Sequence, residues 1–458
     1  MGKTPILYWM RRDFRLADNP ALTACDDRPV IPVFIRDHSV DDLGAAPKFR
    51  LGRAIGHFAK LLEGKGGRLI LRRGDALEVL RDLIRETGAG AVTWNRLYDG
   101  TARDRDAKVK KALKEDGLAA ESHNAHLLFE PWTVETQAGG PYKVYSPFWR
   151  AVRDRDVAPP CRVPDLSWPG DWPESDRLEY WALGAEMNRG ADVVAEHLLL
   201  GEEAARDRLE AFIDTRVTDY KDDRDRMDRD GTSNLSEPLS YGEIGPRQCW
   251  QAGRRAMEQG SKGAETFLKE LVWREFAYHL MFHFPRIDRD NWRAEWDDFP
   301  WRQDNNDAKR WKRGRTGLPI VDAAMRELYV TGRMHNRARM LVASYLTKHL
   351  MTDWRVGLRW FEDTLVDWDP ASNAMGWQWV AGSGPDASPF FRIFNPETQA
   401  EKFDPDAAYR DHWLKGAGAE EFARAAPRSW PEDPQDPPPV GLKEGRERAL
   451  RAYEDLKG

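Results

Sequence analysis

Short apolar runs and amphipathic stretches alternate through the first third of the chain. Residues 6–10, 30–35, 68–71 and 91–94 are brief, apolar and bounded by turn residues. Such runs read as strands buried on both faces of a parallel sheet. Between them, residues 48–62, 76–87 and 103–114 repeat apolar positions at the 3.6-residue helical period. A fifth strand is expected at 119–124. This βαβα order predicts a doubly wound parallel-sheet, Rossmann-like α/β domain over residues 1–130, with right-handed crossovers. From residue 202 the pattern turns helical nearly to the end. Residues 246–259, 263–284, 319–331, 333–350 and 353–364 all carry the helical period, and no strand alternation competes. Residues 201–458 are therefore expected to form an all-helical domain. The stretch between, 131–200, is rich in Pro, Trp and charge, as in Pro159-Pro160 and Trp168-Pro169-Gly170. It predicts an interdomain linker running over the surface, with a helix or two at most. A Pro- and Asp-rich tail at 426–439 leads into a short charged helix. There is no internal repeat.

Length supports that division, since 458 residues exceed one ordinary core. Hydrophobic content of 41% beside 32% charged residues predicts a soluble globular protein. No apolar run approaches the roughly 20 residues of a membrane span, and the first residues lead straight into a strand without a signal-peptide core. Cys25, Cys161 and Cys249 are too scattered for a disulfide framework or a zinc site. A cytoplasmic protein without a metal is expected. The net charge of -6 speaks weakly against nucleic acid as a partner, but its distribution matters more than its sum. Acids gather at 222–230 and near the C-terminus, cations at 309–315 and 333–339. Of the 20 tryptophans most follow residue 249, so the two halves do different work.

Candidate chemistry lies in the helical half. Residues 367–379, Asp-Trp-Asp-Pro-Ala-Ser-Asn-Ala-Met-Gly-Trp-Gln-Trp, put acceptors beside aromatic faces, as a large planar ligand requires. Asp369-Pro370 marks a helix start, so a turn would present Asp367 and Asp369, and a short segment Asn373, Trp377 and Trp379. A capping Asp with core tryptophans fits the same residues. Glu270, Trp273 and Arg274 fall at i, i+3 and i+4 on one helical face, a binding face or a surface ion pair beside a half-buried ring. Asn336, Arg339 and Met340 share another face, whose amide and guanidinium suit a phosphate or a heteroaromatic edge. Gly231-Thr232-Ser233-Asn234-Leu235-Ser236 could cradle a pyrophosphate or simply cap a helix. Tyr220 and Arg224 stand out within the acidic segment. Trp301, Trp354 and Trp377, on separate segments, could pass electrons from a buried cofactor or could be core. The α/β half carries neither GxGxxG after its first strand nor GxxxxGK[ST].

Taken in order, these motifs resemble the DNA photolyase/cryptochrome family. The specific part is Gly-Thr-Ser-x-Leu-Ser at 231–236, Glu-Leu-x-Trp-Arg-Glu-Phe at 270–276, Gly-x-Pro-Ile-Val-Asp-Ala-Ala-Met-Arg at 317–326, Met-His-Asn-Arg-x-Arg-Met at 334–340, Gly-Trp-Gln-Trp at 376–379 and Phe-Arg-Ile-Phe-Asn-Pro at 391–396. The resemblance implies an α/β domain, a long linker and a helical domain holding FAD. It implies that Tyr220, Thr232, Ser233, Asn234, Leu235 and Ser236 contact the adenosine and pyrophosphate. Arg274, Asn336, Arg339, Asp367 and Asp369 would surround the flavin and ribityl chain, with Glu270 and Trp273 alongside and Asn373 facing flavin N5. Trp377, Trp354 and Trp301 would be the inner, middle and surface members of a photoreduction chain. Arg224, Glu270, Trp273, Asn336, Arg337, Met340, Trp379 and Gln399 would meet the lesion and its strand, with Trp273 and Trp379 as aromatic walls. Asn336 and Met340, where (6-4) enzymes carry histidines, and Asn373 imply light-dependent repair of cyclobutane pyrimidine dimers in UV-damaged DNA. The alternative is a cryptochrome-type photoreceptor without repair. An antenna chromophore would dock near 95–99 and the 48–58 helix, methenyltetrahydrofolate ahead of 8-hydroxy-deazaflavin. A monomer is expected. Arg333, Ala277 and Ala374 depart from the family pattern.

Overall fold

The computed structural model describes residues 3–25, 27–386, 392–430 and 437–458. Five parallel strands, β1 (Ile6–Met10), β2 (Val30–Arg36), β3 (Ile70–Arg73), β4 (Ala91–Asn95) and β5 (Ala119–His123), form one sheet in the order β3-β2-β1-β4-β5. Tyr8 of β1 sits opposite Pro32 of β2 and Thr93 of β4. The central strand is apolar throughout because helices cover both faces. Ile6, Tyr8 and Met10 join one core with Phe34 and Phe58, while Leu7 and Trp9 join the other with Ile31 and Leu80. β5, at the edge, alternates exposed and buried positions instead.

The expected helices recur with small shifts of their ends, at Ala45–Glu63, Ala76–Thr87 and Gly100–Glu115 in the α/β part. Pro246–Glu258, Ala264–His283, Pro319–Thr331 and Trp354–Thr364 follow in the helical part. One expectation changes. Residues 333–350 are not a single helix: Gly332, at φ 67°, ends the preceding helix, and Asn336–Ser344 begins only after His335. His335 Nδ1 accepts from the Arg337 backbone at 3.2 Å, a side-chain cap that periodicity does not report. The helix then loosens into a π turn at Tyr345–His349, a form that often sits beside functional sites.

The 131–200 segment is also not a surface strap. It has two α-helices, as expected, Tyr145–Val152 and Gly190–Glu196, but it buries Tyr145, Phe148, Trp149 and Val152 in the helical core. Those four fall at i, i+3, i+4 and i+7, an apolar stripe that the surrounding prolines and charges had masked. Trp181 and Leu183 pack instead against the sheet. The C-terminal helix Leu442–Lys457 buries Ala449 beside Trp296 and Phe299. Phe391, the first residue of the 391–396 motif, and residues 431–436 of the tail lie outside the described residues. Among the described residues no helix is long and apolar enough to cross a membrane. Cys25 and Cys249 are buried, which pushes both thiols up to about 12.

Candidate functional site

A cavity of about 1440 Å³ opens within the helical part. Four pieces of chain supply most of the expected residues of its wall. The first is the loop at 232–236 ahead of the Ser236–Ser240 helix. Asn234 adopts φ 54°, a left-handed conformation that asparagine tolerates. Thr232 Oγ1 donates to Asn234 Oδ1 at 3.2 Å, and Arg208 donates to the Asn234 carbonyl at 3.0 Å, so the loop is held from behind.

The second wall is one face of Ala264–His283, where Glu270, Trp273 and Arg274 all reach the cavity as their spacing predicted. The third is the start of Asn336–Ser344, contributing Asn336, Arg337, Arg339 and Met340. The fourth is the helix Pro370–Ala381 with the turn before it. Asp369 caps this helix, accepting from Ser372 N at 2.8 Å, with Pro370 at the first helical position. Asn373, Trp377 and Trp379 therefore share one regular helix rather than a short segment.

Tyr220, Arg224 and all five loop residues from Thr232 to Ser236 also line the cavity, as do Asp367 and Asp369. Trp301, Trp354 and Gln399 do not belong to the lining. Gln399 sits half-buried on Pro396–Phe403. The carboxylate and amide groups are tightly engaged. Asp367 Oδ2 accepts from Ser236 Oγ and from Arg339, each at 2.7 Å, while its buried Oδ1 meets no donor among the described residues. Asn373 Nδ2 donates to the Leu358 carbonyl at 3.2 Å.

Asp369 joins a buried relay. Tyr278 Oη donates to Asp369 Oδ2 at 2.6 Å, His126 Nε2 lies 3.0 Å from that hydroxyl, and Arg274 lies 2.8 Å from the same ring nitrogen. Arg274 also donates to the His126 carbonyl at 2.7 Å. Burial, helped by the nearby Arg274 charge, holds His126 far below its usual range, so its ring is the neutral one that can accept. His126 follows β5, so the α/β part fixes two polar groups of the cavity wall.

The cations differ from expectation. Arg224 and Glu270, both expected to meet the lesion and its strand, pair with each other. Arg337 pairs with Asp225 and Arg333 with the buried Glu237, whose other oxygen takes Arg50 from the α/β part. Two cations of the 309–315 cluster are also engaged: Arg310 donates to the carbonyls of Arg315 and Pro437 at 3.0 and 2.7 Å, and Lys312 pairs with Asp304 at 2.7 Å. Charge runs in a sequence do not reveal which acid lies opposite, and here most cations have one.

The three expected relay tryptophans lie on three stretches, Trp377 on Pro370–Ala381, Trp354 at the start of Trp354–Thr364 and Trp301 in a loop. Trp377 packs its ring against Gly357, three residues after Trp354 on the same helix. Trp354 is fully buried and donates to Asn291 at 2.8 Å. Trp301 precedes Arg302, which bridges to Thr352 and bonds Met351 and Asp353 at 2.8 Å. Trp301 itself is half-buried against Phe299, ring centroids 4.4 Å apart.

Sequence reasoning missed a fifth part of the lining: Glu327, His335, Tyr409, His412 and Trp413. Tyr409 and Trp413, at i and i+4 on Ala408–Leu414, were an available signal in a stretch read only as helical. Glu327 Oε2 accepts from the Tyr409 hydroxyl and, at 3.4 Å, from His335 N. Burial pushes Glu327 up to about 7 from 4.5 and His335 down to about 4. The Arg339 charge opposes the Glu327 shift and the Asp367 charge adds to it. Between pH 4.5 and 7 the unfolded chain has released a proton that folded Glu327 keeps, so its stabilising contribution is full below 4.5 and lost as pH rises through about 7. Glu327→Gln removes that loss. Relative to wild type, the variant should gain up to ~3 kcal/mol between about pH 5 and about pH 8, read as urea midpoints. Parallel profiles for the two proteins would reject this.

Comparison with known proteins agrees with this architecture. Residues 6–165 match the family described as DNA photolyase, and residues 267–455 the one described as FAD binding domain of DNA photolyase. A deoxyribodipyrimidine photo-lyase of Agrobacterium fabrum is 46% identical, across 99% of this chain and 98% of that one. Cryptochrome-2 of Arabidopsis thaliana is 32% identical, across 95% of this chain and 74% of that protein. The crystal structure of a bacterial class III photolyase from Agrobacterium tumefaciens superposes with a TM-score of 0.92 at 45% identity, covering 100% of this chain and 98% of that one.

Proposed function

The chain belongs to the DNA photolyase/cryptochrome family, and from that premise we propose that it splits cyclobutane pyrimidine dimers in UV-damaged DNA under light, with FAD in the cavity. The observation that carries this is the size and wall of the cavity. At about 1440 Å³ it exceeds the roughly 300–1,000 Å³ of a pocket for one small ligand, leaving room for a cofactor and a pyrimidine dimer flipped out of its strand.

The residues fit FAD. Asp367 Oδ1, buried without a donor, needs an N–H or O–H partner, and a flavin edge or ribityl hydroxyl supplies one. Arg274, Asn336, Arg339, Asp369 and Asn373 would complete that end, and Tyr220 with Thr232–Ser236 would hold the adenosine and pyrophosphate. When bound and reduced, FAD supplies the light-driven electron that opens the cyclobutane ring. Trp273 and Trp379 would replace the stacking a flipped dimer loses, about 1–3 kcal/mol per base. Asn336 and Met340, whose side chains touch at 3.9 Å, would face the dimer beside Arg337. Glu270, paired with Arg224, would offer the base edge a fixed acceptor. Trp377, Trp354 and Trp301 would pass electrons inward.

For an antenna we propose methenyltetrahydrofolate rather than a deazaflavin, near 95–99. The 48–58 helix is the other candidate stretch; its Lys48, Arg50 and Phe58 are buried, with Lys48 tied to Glu186. We place the protein in the cytoplasm as a monomer, which leaves the cavity mouth free to lie along one duplex.

The test is repair of an oligonucleotide carrying one thymine cyclobutane dimer, in blue light and in the dark, with reduced protein. Restoration in light alone is expected. Glu270→Ala should lower the yield while FAD stays bound, with Glu270→Gln intermediate. No restoration with FAD bound and reduced would favour the photoreceptor reading.

A further inference from the structure

Tyr145 lies outside the cavity lining, behind one of its walls. Its ring stacks face to face on Trp273, centroids 3.6 Å apart and planes 5° apart. Phe276 abuts both rings edge-on, at 5.9 and 6.0 Å. The Tyr145 hydroxyl donates at 2.7 Å to the carbonyl of Lys269, one turn before Trp273 on the same helix. The tyrosine is thus held at its hydroxyl tip and along its whole face.

We propose that Tyr145 is a positioning residue for lesion binding, which holds the Trp273 indole flat so that its other face can stack on the flipped dimer. This rests on the reading of Trp273 as a lesion wall. An indole has two faces; Tyr145 covers one, and Trp273 still borders the cavity. A half-buried ring without that backing would sample other rotamers, and binding would have to order it again. The 131–200 segment therefore does more than connect domains, since its helix Tyr145–Val152 sets the plane of a wall supplied by Ala264–His283.

The experiment uses the FAD-loaded full chain in the dark. Affinity is measured for a single-stranded oligonucleotide with one thymine cyclobutane dimer and for its undamaged twin. Tyr145→Leu should weaken lesion binding about three- to tenfold and leave the undamaged strand unchanged. Tyr145→Phe, which keeps the stack and loses only the hydroxyl, should stay within about twofold. In a Trp273→Ala background Tyr145→Leu should change nothing further, because the ring it positions is gone. The same loss in both backgrounds, or equal loss for damaged and undamaged strands, would make Tyr145 a general packing residue and overturn the inference. So would unchanged lesion binding by Tyr145→Leu while Trp273→Ala weakens it. If Trp273→Ala itself binds the lesion like wild type, the wall reading fails first, and the inference with it.

Discussion

Asp367→Ala protein is expected to leave purification as apoprotein. The wild-type carboxylate takes two charge-assisted or hydroxyl hydrogen bonds on Oδ2, from Arg339 and Ser236, and keeps Oδ1 buried without a donor. A hydrogen bond to a charged group contributes about 1.5–3 kcal/mol. Losing the one that Oδ1 would make to the cofactor corresponds to about 10- to 100-fold in Kd for FAD. The substitution also frees Arg339 to shift, which adds to the loss. Folding should survive, because Arg339 keeps the Met334 carbonyl at 2.8 Å as a second acceptor. Asp367→Asn, which keeps the shape and one acceptor but not the charge, should fall between. Ser236→Ala, removing a neutral donor, should be mild. Visible flavin absorbance per protein, followed by titration of stripped protein with FAD, reads the effect. Wild-type flavin content in Asp367→Ala would remove Asp367 from the binding site.

Asp367 also marks the boundary of what the sequence could tell. Its neighbours in the chain were legible: Asp369-Pro370 signals a helix start, and the cap is there. Local rules of this kind also located β1 and the helices Ala76–Thr87 and Pro319–Thr331, where the periodic run and the turn residues agree. Position within the cavity followed from four of the family motifs, because 231–236, 270–276, 334–340 and 376–379 supply its walls, while 317–326 and 392–396 do not line it. The ion-pair partners were not legible. Arg224 with Glu270 spans 46 residues and Arg333 with Glu237 spans 96, and no local pattern encodes a meeting at that separation. The i, i+4 spacing of Tyr409 and Trp413 showed a shared helix face but not that this helix, far along the chain, returns to the cavity. Tyr145 was obscured for another reason. Its apolar stripe is only eight residues long inside a segment whose overall composition reads as exposed.

Gly357→Ala is expected to destabilise the protein, against what its helix would suggest. Gly357 lies inside Trp354–Thr364, where alanine in place of glycine favours a helix by about 1 kcal/mol. But a Cβ there would sit 2.0 Å from Cη2 of Trp377 and 2.4 Å from its Cζ3. The indole has little room to yield, since it is 2% exposed and meets Phe361 edge-on at 5.0 Å and Trp311 at 6.1 Å. Overpacking of this kind costs about 1–3 kcal/mol, occasionally more, and at such short distances the upper end outweighs the helix gain. The urea midpoint should therefore fall, and flavin retention with it, because Trp377 lines the cavity. Trp377→Phe removes the colliding ring atoms, so the double variant should recover much of the midpoint lost by Gly357→Ala. It should not recover light-driven reduction in the presence of an added thiol, because the proposed inner member of the tryptophan relay is gone. Packing and electron passage by one side chain thus separate in one pair of substitutions. A Gly357→Ala protein more stable than wild type would mean the Trp354–Thr364 helix can move away from Trp377. Wild-type photoreduction in Trp377→Phe would mean the electrons take a route that bypasses it.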